Sequence, residues 1–192
     1  VGFAELPYVG VLTDLLGKLD TKLHTASDLD TLVEANLGNL GFGYETYGRD
    51  DDLSFARPML VVSASALSEK VDALASIPQE VWGKTLYLDG NRMRDILTQR
   101  KVALEQYFVN SGHTAAAARA TSYFSSASVA SSQMGGIDYY LFLKRLLANW
   151  DRRLPALQEI LPNLADRIFT ADEVTVSFTG PAEDRKRFWE LG

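Results

Sequence analysis

Apolar positions near the start of the chain recur at helical intervals. Val9, Leu12, Leu15, Leu16 and Leu19 fall three or four residues apart or side by side, and Pro7 suits a first turn, where its missing N–H leaves no bond unmade. A second helix is predicted from Ser27, whose hydroxyl can cap, with Asp28 and Asp30 at the positive end. Its apolar face would be Leu29, Leu32, Val33, Leu37 and Leu40, and Gly41 would stop it. The period then changes. Phe42 to Tyr47 and Phe55 to Ser65 are rich in aromatic and branched side chains, and the Gly48-Arg49-Asp50-Asp51-Asp52 cluster between them signals a turn, which predicts an antiparallel hairpin. Pro58 places its position at a sheet edge or a bulge, because it cannot donate to a ladder.

From Ser68 the pattern is helical to Ile77, where Pro78 is expected to end it. A long helix is predicted from Asn91 to Asn110, with Met93, Ile96, Leu97, Leu104 and Phe108 inward. Ser111-Gly112 interrupts it, and Ala115 to Ala120 resumes a helix. The serine-rich stretch Ser125 to Ser132 reads as a loop, and two more helices are predicted at Ile137–Trp150 and Leu154–Phe169. Glu173 to Phe178 alternates polar and apolar residues like a strand with one buried face, and Gly180-Pro181 opens a last helix. This order predicts an α+β fold, a mostly antiparallel sheet covered by helices on one face, as a single domain over residues 1–192.

Composition agrees and narrows the function. With 46% hydrophobic and 23% charged residues, the chain can bury a sizeable core. A net charge of −6 argues against nucleic acid as a partner, since phosphate neutralisation needs clustered Lys and Arg. No apolar run reaches the roughly 20 residues of a membrane-spanning helix, so no membrane partner is expected. The absence of cysteine excludes disulfides, thiolate metal sites and a cysteine nucleophile, and fits a reducing, intracellular compartment. The ends, Val1-Gly2-Phe3 without methionine and the aromatic Phe188-Trp189, lead to the expectation of a segment excised from a longer chain.

Candidate chemistry is sparse. His24 and His113 are far apart, and neither has a Glu or His three or four residues away, so no catalytic or metal-ligand set is assigned. Ser111-Gly112-His113 brings a hydroxyl and an imidazole together in sequence, but without the G-x-S-x-G frame it reads as a helix break. Gly41-Phe42-Gly43 lacks the third glycine of a dinucleotide loop and follows a helix rather than a strand. Asp50-Asp51-Asp52 lacks the alternation of a calcium loop. Arg92, Arg94, Arg100 and Lys101 make one helix face basic, as on a solvated surface or on the wall of a peptide chamber.

Several stretches together point further: Asn91-Arg92-Met93-Arg94-Asp95-Ile96-Leu97, Leu104-Glu105-Gln106, Ser111-Gly112-His113, Ala118-Arg119-Ala120, Ser122-Tyr123-Phe124-Ser125 and Gly136-Ile137-Asp138-Tyr139-Tyr140. In this order they resemble the presequence-protease branch of the pitrilysin/insulinase zinc metallopeptidases, as do Leu6-Pro7-Tyr8-Val9 and Val176-Ser177-Phe178-Thr179-Gly180. The resemblance implies the first domain of the second, zinc-free half of a clamshell protease that degrades short unfolded peptides. It implies no cofactor in this chain, zinc in the other half of the parent, and that zinc-binding N-terminal half and peptide substrates as partners. Arg92, Arg119 and His113 are then candidates for facing the peptide chamber, while Ser111, His113 and Arg119 are expected to organise a joint between helices. A family strand expected upstream of Leu6 is reduced to Val1–Glu5, and an edge left unpaired would favour self-association. Two other readings compete: a non-hydrolytic binding or assembly module of the same fold, and a free-standing hydrolase using His113.

Overall fold

The computed structural model describes residues 1–191. Its centre is α1 (Leu6–Leu15), which opens on Pro7 and buries eight of its ten residues, including Gly10 on the side opposite the predicted stripe. A helix apolar all round has to be surrounded. It packs against the hairpin and four later helices, and Gly17, at φ 78°, turns the chain away from its end.

The second helix, α2 (Ala26–Asn36), is capped by Thr25, whose hydroxyl oxygen accepts from the Asp28 N–H at 3.2 Å, rather than by Ser27. Leu40 and Gly41 belong to the following strand instead of closing this helix. Strands β1 (Asn39–Tyr47) and β2 (Arg57–Ser65) pair antiparallel in an unbroken register, with Phe42 opposite Val62, Tyr44 opposite Leu60 and Thr46 opposite Pro58. Pro58 therefore sits on an edge strand without a bulge. Leu40, Phe42, Tyr44 and Leu60 turn to the helices, while Gly41, Gly43, Met59 and Val61 form the opposite face. A lone hairpin is marginal in water, so its stability comes from the helices beneath it.

Helix α3 (Val71–Lys84) runs through Pro78. Burial of Val71, Ala75, Ile77 and Val81 on both sides of the proline outweighs the roughly 3 kcal/mol that an interior proline costs. Helix α4 (Gly90–Asn110) is capped by Asp89, which accepts from Arg92 N–H at 2.9 Å, and buries Met93, Ile96, Leu97 and Leu104 as predicted. Helix α5 (Gly112–Thr121) buries nothing. The serine-rich stretch is not a loop: α6 (Ser126–Gly135) is capped by Ser125 and buries Ala127, Ala130, Ser132 and Met134. Helices α7 (Ile137–Ala148) and α8 (Trp150–Ile168) follow, the latter starting earlier than predicted and passing through Pro155 and Pro162.

The predicted late strand does not form. Residues 174–178 adopt no regular structure and have no ladder partner among the described residues, and Val174 and Val176 are exposed. Alternation makes a strand only where another strand offers its edge. The last helix, α9 (Ala182–Leu191), packs on α3, with Arg187 paired to Asp72 at 2.8 Å. The class is α+β, as predicted, with the antiparallel sheet reduced to one hairpin.

Candidate functional site

The three residues proposed from the sequence do not meet. Arg92 stands in the first turn of α4, its Nε 3.4 Å from the Lys18 carbonyl oxygen, whereas His113 and Arg119 lie on α5. At 1.5 Å per residue, α4 alone puts roughly 27 Å between Arg92 and that end. His113 is exposed. Arg119 donates to Asp138 Oδ2 at 3.1 Å and lies 5.6 Å from the centre of the Tyr123 ring. Ser132 Oγ donates to the same Asp138 oxygen at 2.6 Å, so Asp138 ties α5 and α6 to the first turn of α7. Val109, near the end of α4, and Tyr123 and Phe124, just after α5, are each exposed.

Two polar clusters that sequence reasoning missed lie deeper. Near the start of the chain, Glu80 Oε1 accepts from Thr21 Oγ1 at 2.5 Å and lies 2.8 Å from His24 Nδ1. Burial raises the Glu80 carboxyl, but the Thr21 and His24 contacts outweigh it and the net shift is downward. A depressed folded pKa contributes stability that is present above the unfolded value of 4.5 and lost as pH falls through the folded value. Glu80→Gln is accordingly expected to cost about 1–2 kcal/mol at pH 7, and its deficit against the parent should shrink at pH 3.5. Urea unfolding at the two pH values measures this, and a deficit that grew in acid would contradict the assignment.

The second cluster joins three helices. Tyr139 Oη, wholly buried, donates to Asp14 Oδ2 at 2.7 Å, and Arg100 Nε lies 3.3 Å from Asp14 Oδ1. That ion pair holds by distance, since the Arg100 N–H is not aligned for a hydrogen bond. Burial pushes the Asp14 carboxyl up, against the opposing pull of Arg100 and the Tyr139 hydrogen bond. Burial also raises the Tyr139 and Tyr44 phenols. Tyr139 and Asp14 satisfy each other inside the helix packing, whereas the Arg100 side chain is part-exposed.

An open concavity lies beside β1. A cleft of about 390 Å3 is lined by Tyr44, Glu45, Thr46 and Tyr47 of β1 and by Ala127, Ser128 and Ser131 of α6. The helix runs antiparallel to the strand: a Cβ on Gly135 would meet the Tyr44 hydroxyl, and one on Gly48 would lie 3.2 Å from Ala127. Thr46 Oγ1 is enclosed here without a hydrogen-bond partner, and the Tyr47 hydroxyl donates to Glu45 at the rim. The lining is mixed polar and apolar, and no nucleophile–base pair is among it. Among the described residues, no three His, Asp or Glu side chains converge as metal ligands would. No helix among them is long and apolar enough to cross a membrane.

Comparison with known proteins places this architecture. The model of the peptidase M-16C-associated family (metallopeptidase family 16, subfamily C) matches residues 3–146, three quarters of the chain, from the helix that opens on Leu6-Pro7 nearly to the end of α7. The chain belongs to that family. This peptidase-associated domain is 28% identical over 185 residues to Protein HypA of Clostridium perfringens, covering 96% of the present chain and 19% of that protein. It is 24% identical over 160 residues to the mitochondrial presequence protease of Yarrowia lipolytica and 25% identical over 169 residues to presequence protease 1, chloroplastic/mitochondrial, of Arabidopsis thaliana. Those matches cover 83% and 84% of this chain but 16% and 15% of the relatives. The peptidase-associated domain thus spans less than a fifth of each of these proteins. Its family is that of the domains associated with subfamily-C proteases, within the insulinase family of metallopeptidases.

Proposed function

We propose that this domain is a non-catalytic part of a metallopeptidase of unfolded peptides, forming part of the chamber wall and helping to hold substrate while the remainder of the parent protease supplies the zinc-binding half. The observation that carries this reading is the collinear match of nearly the whole chain to one short stretch of much longer proteins, two of them presequence proteases. The match of the peptidase-associated family model to residues 3–146 supports it as well. Arg92, Arg119 and His113 remain the candidates for contact with chamber contents, on two separate faces.

The test is complementation. The parent protease with this stretch removed is expressed as one polypeptide and the present chain as another, and a quenched, unstructured peptide reports cleavage. The expected result is no cleavage by either alone and cleavage, abolished by a chelator, on mixing. Cleavage by the present chain alone that survives the chelator would overturn the reading and return attention to Ser111 and His113. A mixture that assembles without cleaving would favour the non-hydrolytic assembly module.

A further inference from the structure

We propose that His24 is a nucleophilic imidazole, held ready by the buried Glu80 carboxylate to take a phosphoryl group on Nε2 from a small anionic donor. The site stands whether or not the chain serves a peptidase. It begins with a turn. The Thr21 N–H donates to the His24 carbonyl oxygen at 2.8 Å, and the His24 N–H donates to Thr21 Oγ1 at 2.9 Å. The same segment is fastened to the end of α3. There the Lys22 N–H donates to the Lys84 carbonyl oxygen at 2.9 Å, and the Leu86 N–H to the Asp20 carbonyl oxygen at 2.8 Å. The His24 backbone is thus fixed before its ring makes any contact.

Glu80 fixes the ring. His24 Nδ1 lies 2.8 Å from Glu80 Oε1, and the Glu80 side chain is only 8% exposed. Thr21 Oγ1 donates to the same oxygen at 2.5 Å, so the carboxylate is held toward the ring. Despite its burial, the Glu80 carboxyl lies below its usual range because of these two contacts. An ionised carboxylate can only accept, which puts the ring proton on Nδ1 and leaves the lone pair of the neutral imidazole on Nε2. That nitrogen has no hydrogen-bond partner among the described residues and is not enclosed, and the His24 side chain is 38% exposed. A carboxylate on Nδ1–H orients an imidazole and stabilises the cation formed when Nε2 adds to an electrophile.

The surroundings choose the electrophile. A metal ion would need further ligands, and among the described residues no three His, Asp or Glu side chains converge. Lys84, one helical turn beyond Glu80, acts on its carboxyl as a nearby cation. A second positive charge disfavours a dication there and favours an anion. A phosphoryl donor is an anion with an electrophilic phosphorus. With phosphoramidate, the Nε2 lone pair forms the new N–P bond while the donor's own P–N bond breaks, and ammonia leaves with that electron pair. The ring becomes cationic, keeps its Nδ1 proton and faces the Glu80 carboxylate.

The experiment incubates the 192-residue chain with phosphoramidate at about pH 8 and follows phosphorylation by mass spectrometry of its peptides. The chain has two histidines, and His113, the more exposed, is the internal reference. His24 is expected to react at least about fivefold faster than His113. Glu80→Gln should slow His24 by about fivefold and leave His113 unchanged, because a neutral hydrogen bond replaces a charge-assisted one. Lys84→Gln should slow His24 by about twofold. Since Glu80→Gln also costs stability, the imidazole nitrogen shifts of the unaltered chain supply a reading that needs no variant: Nδ1 of His24 protonated, Nε2 bare. Equal rates at the two histidines would mean adventitious imidazole chemistry only and would overturn the proposal. So would a proton resident on Nε2, or a His24 rate indifferent to Glu80→Gln in the folded protein.

Discussion

Gly10→Ala is expected to destabilise the domain by about 3 kcal/mol, the upper end of the usual range for overpacking. A Cβ at this position would overlap the Met134 carbonyl oxygen and lie 2.8 Å from Cε2 of Tyr139. The first contact is to backbone and the second to a wholly buried ring, so neither neighbour can swing aside as an exposed side chain would. Relief requires α6 to move away from α1, and that would loosen the packing of Val9, Leu12, Ala130 and Met134 together. Thermal unfolding should show a fall in melting temperature of about 6–12 °C for a domain of this size. A change below about 2 °C would mean that α6 can shift at little cost.

The close approach also explains why α6 was illegible in the sequence. Ser125 to Ser132 has poor intrinsic helix formers and no long apolar stripe, which favours turns over helices when residues are weighed alone. Small side chains are what that position demands, because α6 is squeezed between α1 and the hairpin, with Gly135 lying beneath the Tyr44 hydroxyl. Tertiary packing overrode propensity there, and again at Pro78, where burial on both sides carries the helix through. The late strand failed in the opposite direction: its alternation is clear, but pairing depends on a neighbour that the described residues do not supply. By contrast α1, α4 and the hairpin were legible, since each has a strong period, a stop signal or a long apolar face.

The candidate sites divide along the same physical line. Local patterns placed Ser111 at the break between α4 and α5 and Arg119 on the short helix that follows, because those relations span few residues, while His113, read as part of the break, falls inside that helix. His24 with Glu80, 56 residues apart, and Tyr139 with Asp14, 125 apart, carry no mark in a linear reading, since nothing local to either residue names its partner.

Asp14→Ala should cost about 3 kcal/mol at neutral pH, because it strips two partners at once. The Tyr139 hydroxyl would keep no acceptor in a wholly buried position, and Arg100 would lose its counter-charge. Tyr139→Phe separates the two losses. In the parent it removes one good hydrogen bond and should cost about 1–2 kcal/mol, whereas in the Asp14→Ala background it removes an orphaned hydroxyl and should be neutral or stabilising by about 1 kcal/mol. That change of sign, read from chemical denaturation of the four proteins, is the signature of the contact, and additive costs would deny it. The acid limb supplies a second check. Because burial raises the Asp14 carboxyl, the folded state holds that proton more tightly than the unfolded state, whose value is 3.8. Ionising Asp14 therefore removes stability as pH rises from that value through the folded pKa, the reverse of Glu80. Asp14→Asn should lose this dependence while Glu80→Gln keeps it, so stability curves of the two variants between about pH 3 and 7 should bend in opposite directions from the parent.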